Sequence, residues 1–397
     1  MIRQITPLVF IFICTAIAWM ILGGTISSRT DASSSQLSGH VASIWGSPQE
    51  QQPPTASWMQ SRIDGARCEQ PLPIDASRIN VGFHLDPRQK GLLWYSTYVV
   101  DFDGSYTFRN DTDQPQPITY RFRFPTQNSV YDGLAVQLDG VSTPVVLDDQ
   151  GVHTQGTLSP GQSAVFHVKY RSHGISYWRY KLGDKVSQAH DFLLTMQTNF
   201  PDIDFADDTL SPTSKTRIQN GWELHWQYSN LVSGIQIGLT MPEKLQPGPL
   251  AGEISYAAPV SLFFFFFLMY VITTLQNIEL HPINYFFLAT GFFAFHLLLA
   301  YLVDHVSIHV AMLISSLVSL GLIVSYLRLV AGLRFAFVQA GLAQFVYLVL
   351  FSYAFFWKGF TGLSITVMAI VTLFVVMQAT GRIRWSERLA AQRAVKP

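Results

Sequence analysis

The placement of apolar length constrains this chain more than any other feature. One uncharged run of about twenty residues, Ile5 to Gly24, stands at the N-terminus; a long polar stretch follows; five more apolar runs crowd into the last third, at roughly 254–275, 284–303, 310–327, 335–356 and 360–380. Some 20 helical residues at about 1.5 Å each cross a hydrocarbon core roughly 30 Å thick, so each run is long enough to span a bilayer. The expected fold is therefore mixed: a polytopic α-helical membrane protein, with one N-terminal and five C-terminal spans, carrying a large extracytoplasmic all-β, sandwich-like domain.

Basic residues orient the threading, because positive charge resists translocation. Arg3 precedes the first run, Arg328 and Arg334 bracket one short loop, and Arg382, Arg384, Arg388, Arg393 and Lys396 follow the last run, whereas the loop from Asp304 to His309 has no Lys or Arg. Both termini are then cytoplasmic, with residues 25–253 on the other side. The loop from Gln276 to Pro282 is neutral to this reading, and Lys358 is a single exception. Trp19, Tyr256, Tyr301, Tyr326, Trp357 and Trp385 fall near span ends, as an interfacial aromatic belt requires. The first run exceeds the usual length of a signal-peptide core and ends in the weak cleavage site Gly23-Gly24-Thr25, which favours an uncleaved anchor.

Five segments follow from this reading: an anchor over 1–28, a Ser/Gln/Pro-rich stalk over 29–74, a β-rich domain over 75–250, a five-helix bundle over 254–380 and a basic tail over 381–397. The stalk offers little to bury and reads as extended. The β-rich domain shows alternation, as in Ile118-Thr119-Tyr120-Arg121-Phe122-Arg123-Phe124, and about nine or ten short strands are expected. Asp103-Gly104, Asp139-Gly140 and Ser159-Pro160-Gly161-Gln162 read as turns. In the bundle, Ser315 and Ser319 permit close helix approach, and the five rings Phe263 to Phe267 suggest a peripheral, lipid-facing helix.

Chemistry is thinly encoded. With 26 basic and 26 acidic side chains there is no global field to recruit nucleic acid. The two cysteines, Cys14 and Cys68, lie in different solvents and imply no disulfide. No catalytic residues, metal ligands or cofactor fingerprint emerge, and enzyme activity has no positive support. An intramembrane polar cluster of His296, Asp304, His305 and His309 is the candidate site, because an ionisable group at bilayer depth is costly unless it faces protein. Interhelical hydrogen bonding leads there, with proton or ligand handling and metal binding as alternatives. Asp202, Asp204, Asp207 and Asp208 are expected to form a solvated turn. Trp178, Trp222 and Trp226 read as core positions, with glycan stacking as the alternative.

The run His281-Pro282-Ile283-Asn284-Tyr285-Phe286-Phe287-Leu288, continuing through Phe292-Phe293-Ala294-Phe295-His296-Leu297-Leu298-Leu299-Ala300-Tyr301-Leu302-Val303-Asp304-His305, resembles the bacterial inner-membrane CreD family. Ser325-Tyr326-Leu327 and Trp45-Gly46-Ser47-Pro48-Gln49 extend the likeness. The resemblance implies an inner-membrane protein of cell-envelope integrity or envelope stress, with residues 25–253 periplasmic. It brings no catalytic residues or cofactor. The expected partners are the lipid bilayer and a periplasmic protein or cell-wall component. A membrane-embedded transporter or enzyme using His296 and Asp304 is the alternative.

Overall fold

A computed structural model describes residues 2–61, 67–90, 93–183, 187–357 and 359–381. Lys358 and the basic tail residues Arg382, Arg384, Arg388, Arg393 and Lys396, with Trp385, lie outside the described residues. The chain divides into two compact units, one of residues 1–33, 91–93 and 245–397, the other of residues 34–90 and 94–244.

Six helices are long and apolar enough to cross a membrane: Thr6–Ala32, Pro247–Gln276, Pro282–Leu302, Ile308–Ala331, Phe335–Phe356 and Thr361–Thr380. The first belongs to a longer helix, Ile2–Trp45. The expected extended stalk over 29–74 is thus corrected. Its Ser-rich first part contains no proline before Pro48, buries Val41, and stays helical until Gly46 adopts φ 131°. Its second part forms the strands Gln49–Gln51, Thr55–Ser61 and Arg67–Leu72.

In the first unit, the apolar interior gathers Trp19, Phe265, Phe292, Phe295 and Leu348. Two expectations change here. Trp19 is fully buried against protein in the middle of the apolar helix Thr6–Ala32, and the Phe263–Phe267 run divides: Phe265 and Phe266 face inward while Phe263 and Phe267 stay exposed. Consecutive residues on a helix lie about 100° apart, so five in a row cannot share one face. At Ser319 helices do approach closely: its hydroxyl donates to the Gly291 carbonyl at 2.7 Å, and a Cβ at Gly291 would lie 2.6 Å from Ile323.

The second unit is built on sheets. The largest runs, edge to edge, Val141–Ser142, Tyr131–Leu138, Ser163–Ile175, Thr97–Arg109, Ile74–Leu85, Ser187–Thr198, Gly221–Ser233 and Ser214–Ile218. A five-stranded sheet runs Val146–Asp148, Gly151–Leu158, Gln116–Arg123, Thr55–Ser61 and Arg67–Leu72. Their inward faces share one core, in which Tyr120 stacks on Phe166 at 5.6 Å and Phe102 meets Phe122 at 6.0 Å. Within these two sheets the described pairing is antiparallel except where Ser187–Thr198 runs parallel to Ile74–Leu85, and outside them Gln49–Gln51 runs parallel to Tyr177–Tyr180.

The Asp139-Gly140 turn forms with positive φ at both residues, and Gly161 turns into Ser163–Ile175. Asp103-Gly104 does not turn; it lies inside Thr97–Arg109. Along that strand Tyr98, Val100, Phe102, Tyr106 and Phe108 all point inward with no exposure, and a hairpin would surrender their burial. Gly104 serves packing instead, since a Cβ there would meet the rings of Tyr106 and Phe102 at 2.9 and 3.0 Å.

Candidate functional site

The four polar residues singled out in the membrane spans do not form one constellation. His296 is buried, its Nδ1 donates to the Phe292 carbonyl at 2.9 Å, and its ring meets Trp19 edge-on at 5.2 Å. That bond fixes the orientation of the ring on its own helix. His305 is exposed, and His309 stacks on Phe356 at 5.2 Å. Among the described residues, no three His, Cys, Asp or Glu side chains gather where they could hold a metal ion.

Asp304 has a different partner. Arg29 grips it with both terminal nitrogens, at 3.0 and 3.1 Å, and also donates to the Ala300 carbonyl at 3.0 Å. The guanidinium fork thus ties the first helix to the end of Pro282–Leu302, where free carbonyls attract positive charge. Sequence reasoning missed Arg29 because it was assigned to a stalk. Its signal was position: five residues beyond the expected end of the first span, it belongs at the level of a loop that has an acid and no base. Side-chain exposures of 37% and 20% keep the pair modest. A double-mutant cycle of Arg29→Gln and Asp304→Asn is expected to show about 1 kcal/mol of coupling in unfolding of the detergent-solubilised chain; additive effects would mean that the contact contributes nothing.

In the β-rich unit the segment Trp45-Gly46-Ser47-Pro48-Gln49 is anchored residue by residue. The Trp45 ring is sandwiched between the His173 imidazole, stacked at 4.3 Å, and the Arg88 guanidinium at 3.3 Å. Ser47 shares a 2.7 Å hydrogen bond with Thr126, and Gln49 donates to Ser172 Oγ and the His173 carbonyl, both at 2.8 Å. Burial, with Arg88 and Arg171 nearby, pushes His173 below its ordinary pKa, against a smaller opposing pull from Asp86 and Asp132. The unfolded chain therefore binds this proton more readily than the folded one. The stability conferred by the neutral ring is present above the unfolded value, about 6.5, and is lost as pH falls through it toward the lower folded value. Thermal unfolding of the β-rich unit, followed by near-ultraviolet circular dichroism, is expected at lower temperature as pH drops below about 6.5. His173→Gln should flatten that part of the profile, and an unchanged profile would remove His173 from the account.

A cleft of about 360 Å³ opens on the five-stranded sheet. Arg121 and Arg123 line it from the strand Gln116–Arg123, flanked by Glu69 and Asp148. Glu69 accepts the Ser57 hydroxyl. Asp148 accepts the backbone N–H groups of Gln150 and Gly151 at 2.8 and 2.9 Å, bonds that hold its carboxyl below the usual pKa. Of the three tryptophans, Trp178 and Trp226 are fully buried, while Trp222 is half-buried with Lys215 4.0 Å above its ring. Asp202, Asp204, Asp207 and Asp208 lie exposed, with Asp208 at φ 62°.

No family model matches the chain, and no curated protein does. Among solved structures it is similar to a candidate nutrient-binding protein from Legionella pneumophila, at 12% identity and a TM-score of 0.37, over 55% of this chain and 75% of that one. An M1 zinc metallopeptidase from Deinococcus radiodurans is similar at 13% identity and a TM-score of 0.28, over 42% of each chain. At these TM-scores neither likeness bears on activity.

Proposed function

We propose that the chain is an inner-membrane protein of the bacterial cell envelope, of CreD type, whose β-rich domain is periplasmic and binds an envelope protein or wall component without catalysis. Both termini are cytoplasmic in this reading, residues 25–253 face the periplasm, and the protein contributes to envelope integrity or stress response. The observation that carries it is the union in one chain of six membrane-length apolar helices with a separate, extensively cored β-rich unit. The shared core of the two larger sheets supports a β-sandwich. The separation of His296 from Asp304, each engaged with other groups, favours binding over intramembrane chemistry.

In-cell photocrosslinking from exposed positions of the β-rich unit, followed by identification of what is captured, tests the reading. It expects an envelope protein or glycan among the products; exclusively cytosolic products would overturn it. A protease site inserted near Asp148 should be cut in intact spheroplasts, and protection until lysis would reverse the assigned topology. His296→Leu in a stably inserted protein is expected to leave envelope function intact, whereas loss of function would favour the transporter or enzyme.

A further inference from the structure

Cations in the β-rich unit are, with few exceptions, visibly engaged. Arg88 pairs with Asp86 at 3.1 Å, Arg109 with Asp111 at 3.2 Å and Arg171 with Asp101 at 2.7 Å, while Arg78 pairs with Asp191 and Lys181 with Glu50. Lys215 and Lys244 sit 4.0 and 3.9 Å over tryptophan rings. Arg121 and Arg123 stand apart. Both are exposed and line the cleft, and among the described residues neither side chain has an ion pair, hydrogen bond or ring contact.

Their spacing sets two cationic side chains next to one another on one face. Two positions apart on one strand, they project from the same face about 6.6 Å from each other, with Phe122 between them locked in the core. Like charges so placed repel weakly through solvent, and the strand's pairing to Gly151–Leu158 fixes the backbone positions from which they project. Glu69 and Asp148 keep their charge and offset part of this field, but they are held by Ser57 and by the turn at Gln150 and Gly151, and neither forms an ion pair with Arg121 or Arg123. An anion with several acceptor oxygens would give both guanidinium forks the direct partner they lack.

We propose that this cleft binds a ligand bearing an oxyanion, a phosphate or carboxylate group, held between Arg121 and Arg123. Its volume of about 360 Å³ admits more than a bare ion. Thr55 and Gln150 offer uncharged hydrogen-bonding groups to the remainder of such a ligand. The inference deepens the reading of the β-rich unit as the binding part of the protein, and rests on it.

The test uses the full chain in nanodiscs of zwitterionic lipid, titrated calorimetrically with inorganic phosphate, glycerophosphoglycerol as a lipid-headgroup source, and acetate. Saturable binding of at least one probe is expected, weakening as salt rises. Arg121→Gln/Arg123→Gln should lower the affinity tenfold or more at an unchanged unfolding midpoint, and Arg171→Gln, on the other sheet, should not. Stronger binding of glycerophosphoglycerol points to a lipid headgroup, and stronger binding of phosphate or acetate to a soluble ligand. Absence of saturable binding by all three, or equal binding by the double variant, overturns the proposal. Anion binding is read on purified protein and partner capture in cells, so failure here is separable from failure of the envelope-binding reading.

Discussion

Replacing Trp226 by alanine is expected to destabilise the β-rich unit by about 3–5 kcal/mol, the range for deleting a large aromatic side chain from a packed core. Trp226 is fully buried in the strand Gly221–Ser233, opposite Leu194, and its indole N–H donates to the Leu210 carbonyl at 2.8 Å. The substitution removes ring contacts and leaves that carbonyl without its donor, so two costs add. Trp222→Ala, at a half-buried ring on the same strand, should cost clearly less. Denaturant unfolding of the full chain, followed by near-ultraviolet circular dichroism, would show the difference in midpoint. A Trp226→Ala protein as stable as wild type would return this residue to the surface-stacking role its sequence context also allowed.

Gly46→Ala is expected to cost about 2 kcal/mol or more, and to do so through the backbone. Gly46 stops the helix Ile2–Trp45 at φ 131°, a conformation L side chains rarely adopt. A Cβ there would lie 2.2 Å from the His173 carbonyl oxygen, which is also held by Gln49 and Ser129. Either the carbonyl shifts and loses those bonds or the chain leaving the helix rotates and withdraws Trp45 from between His173 and Arg88. Limited proteolysis near residues 45–50 reads the outcome: faster cutting is expected in Gly46→Ala, and wild-type resistance would show that the close approach is dispensable.

These two residues also show how far the sequence could be read. Trp226 sits in a run that alternates apolar and polar, and period-two alternation points to a core face without any tertiary knowledge. Gly46 stands in a run of Ser, Gln and Pro whose composition suggested an extended stalk. Composition measures what a segment can bury by itself, and the partners of Trp45, Gln49 and Gln51 are more than 30 residues away in sequence, at Arg88, Ser172 and Tyr170. Asp103-Gly104 failed in the opposite sense: a dipeptide well suited to a turn was overruled by the burial of Tyr98, Val100, Phe102, Tyr106 and Phe108 along one strand.

The candidate site divides the same way. His296 was conspicuous because ionisable groups are rare in apolar runs, yet its partners Trp19 and the Phe292 carbonyl were not legible. Arg29 was inconspicuous because a single arginine beside serines is ordinary, and only the helix running on to Trp45 brings it to Asp304.

Apolar length and strand alternation are local quantities, summed over neighbours in the chain, so the amino-acid order alone determined six membrane-length helices and a β-rich unit between them. Which cations are neutralised depends on distances between residues remote in sequence. Only the tertiary structure could therefore decide that Arg29 meets an acid while Arg121 and Arg123 line an open cleft without a direct ion pair.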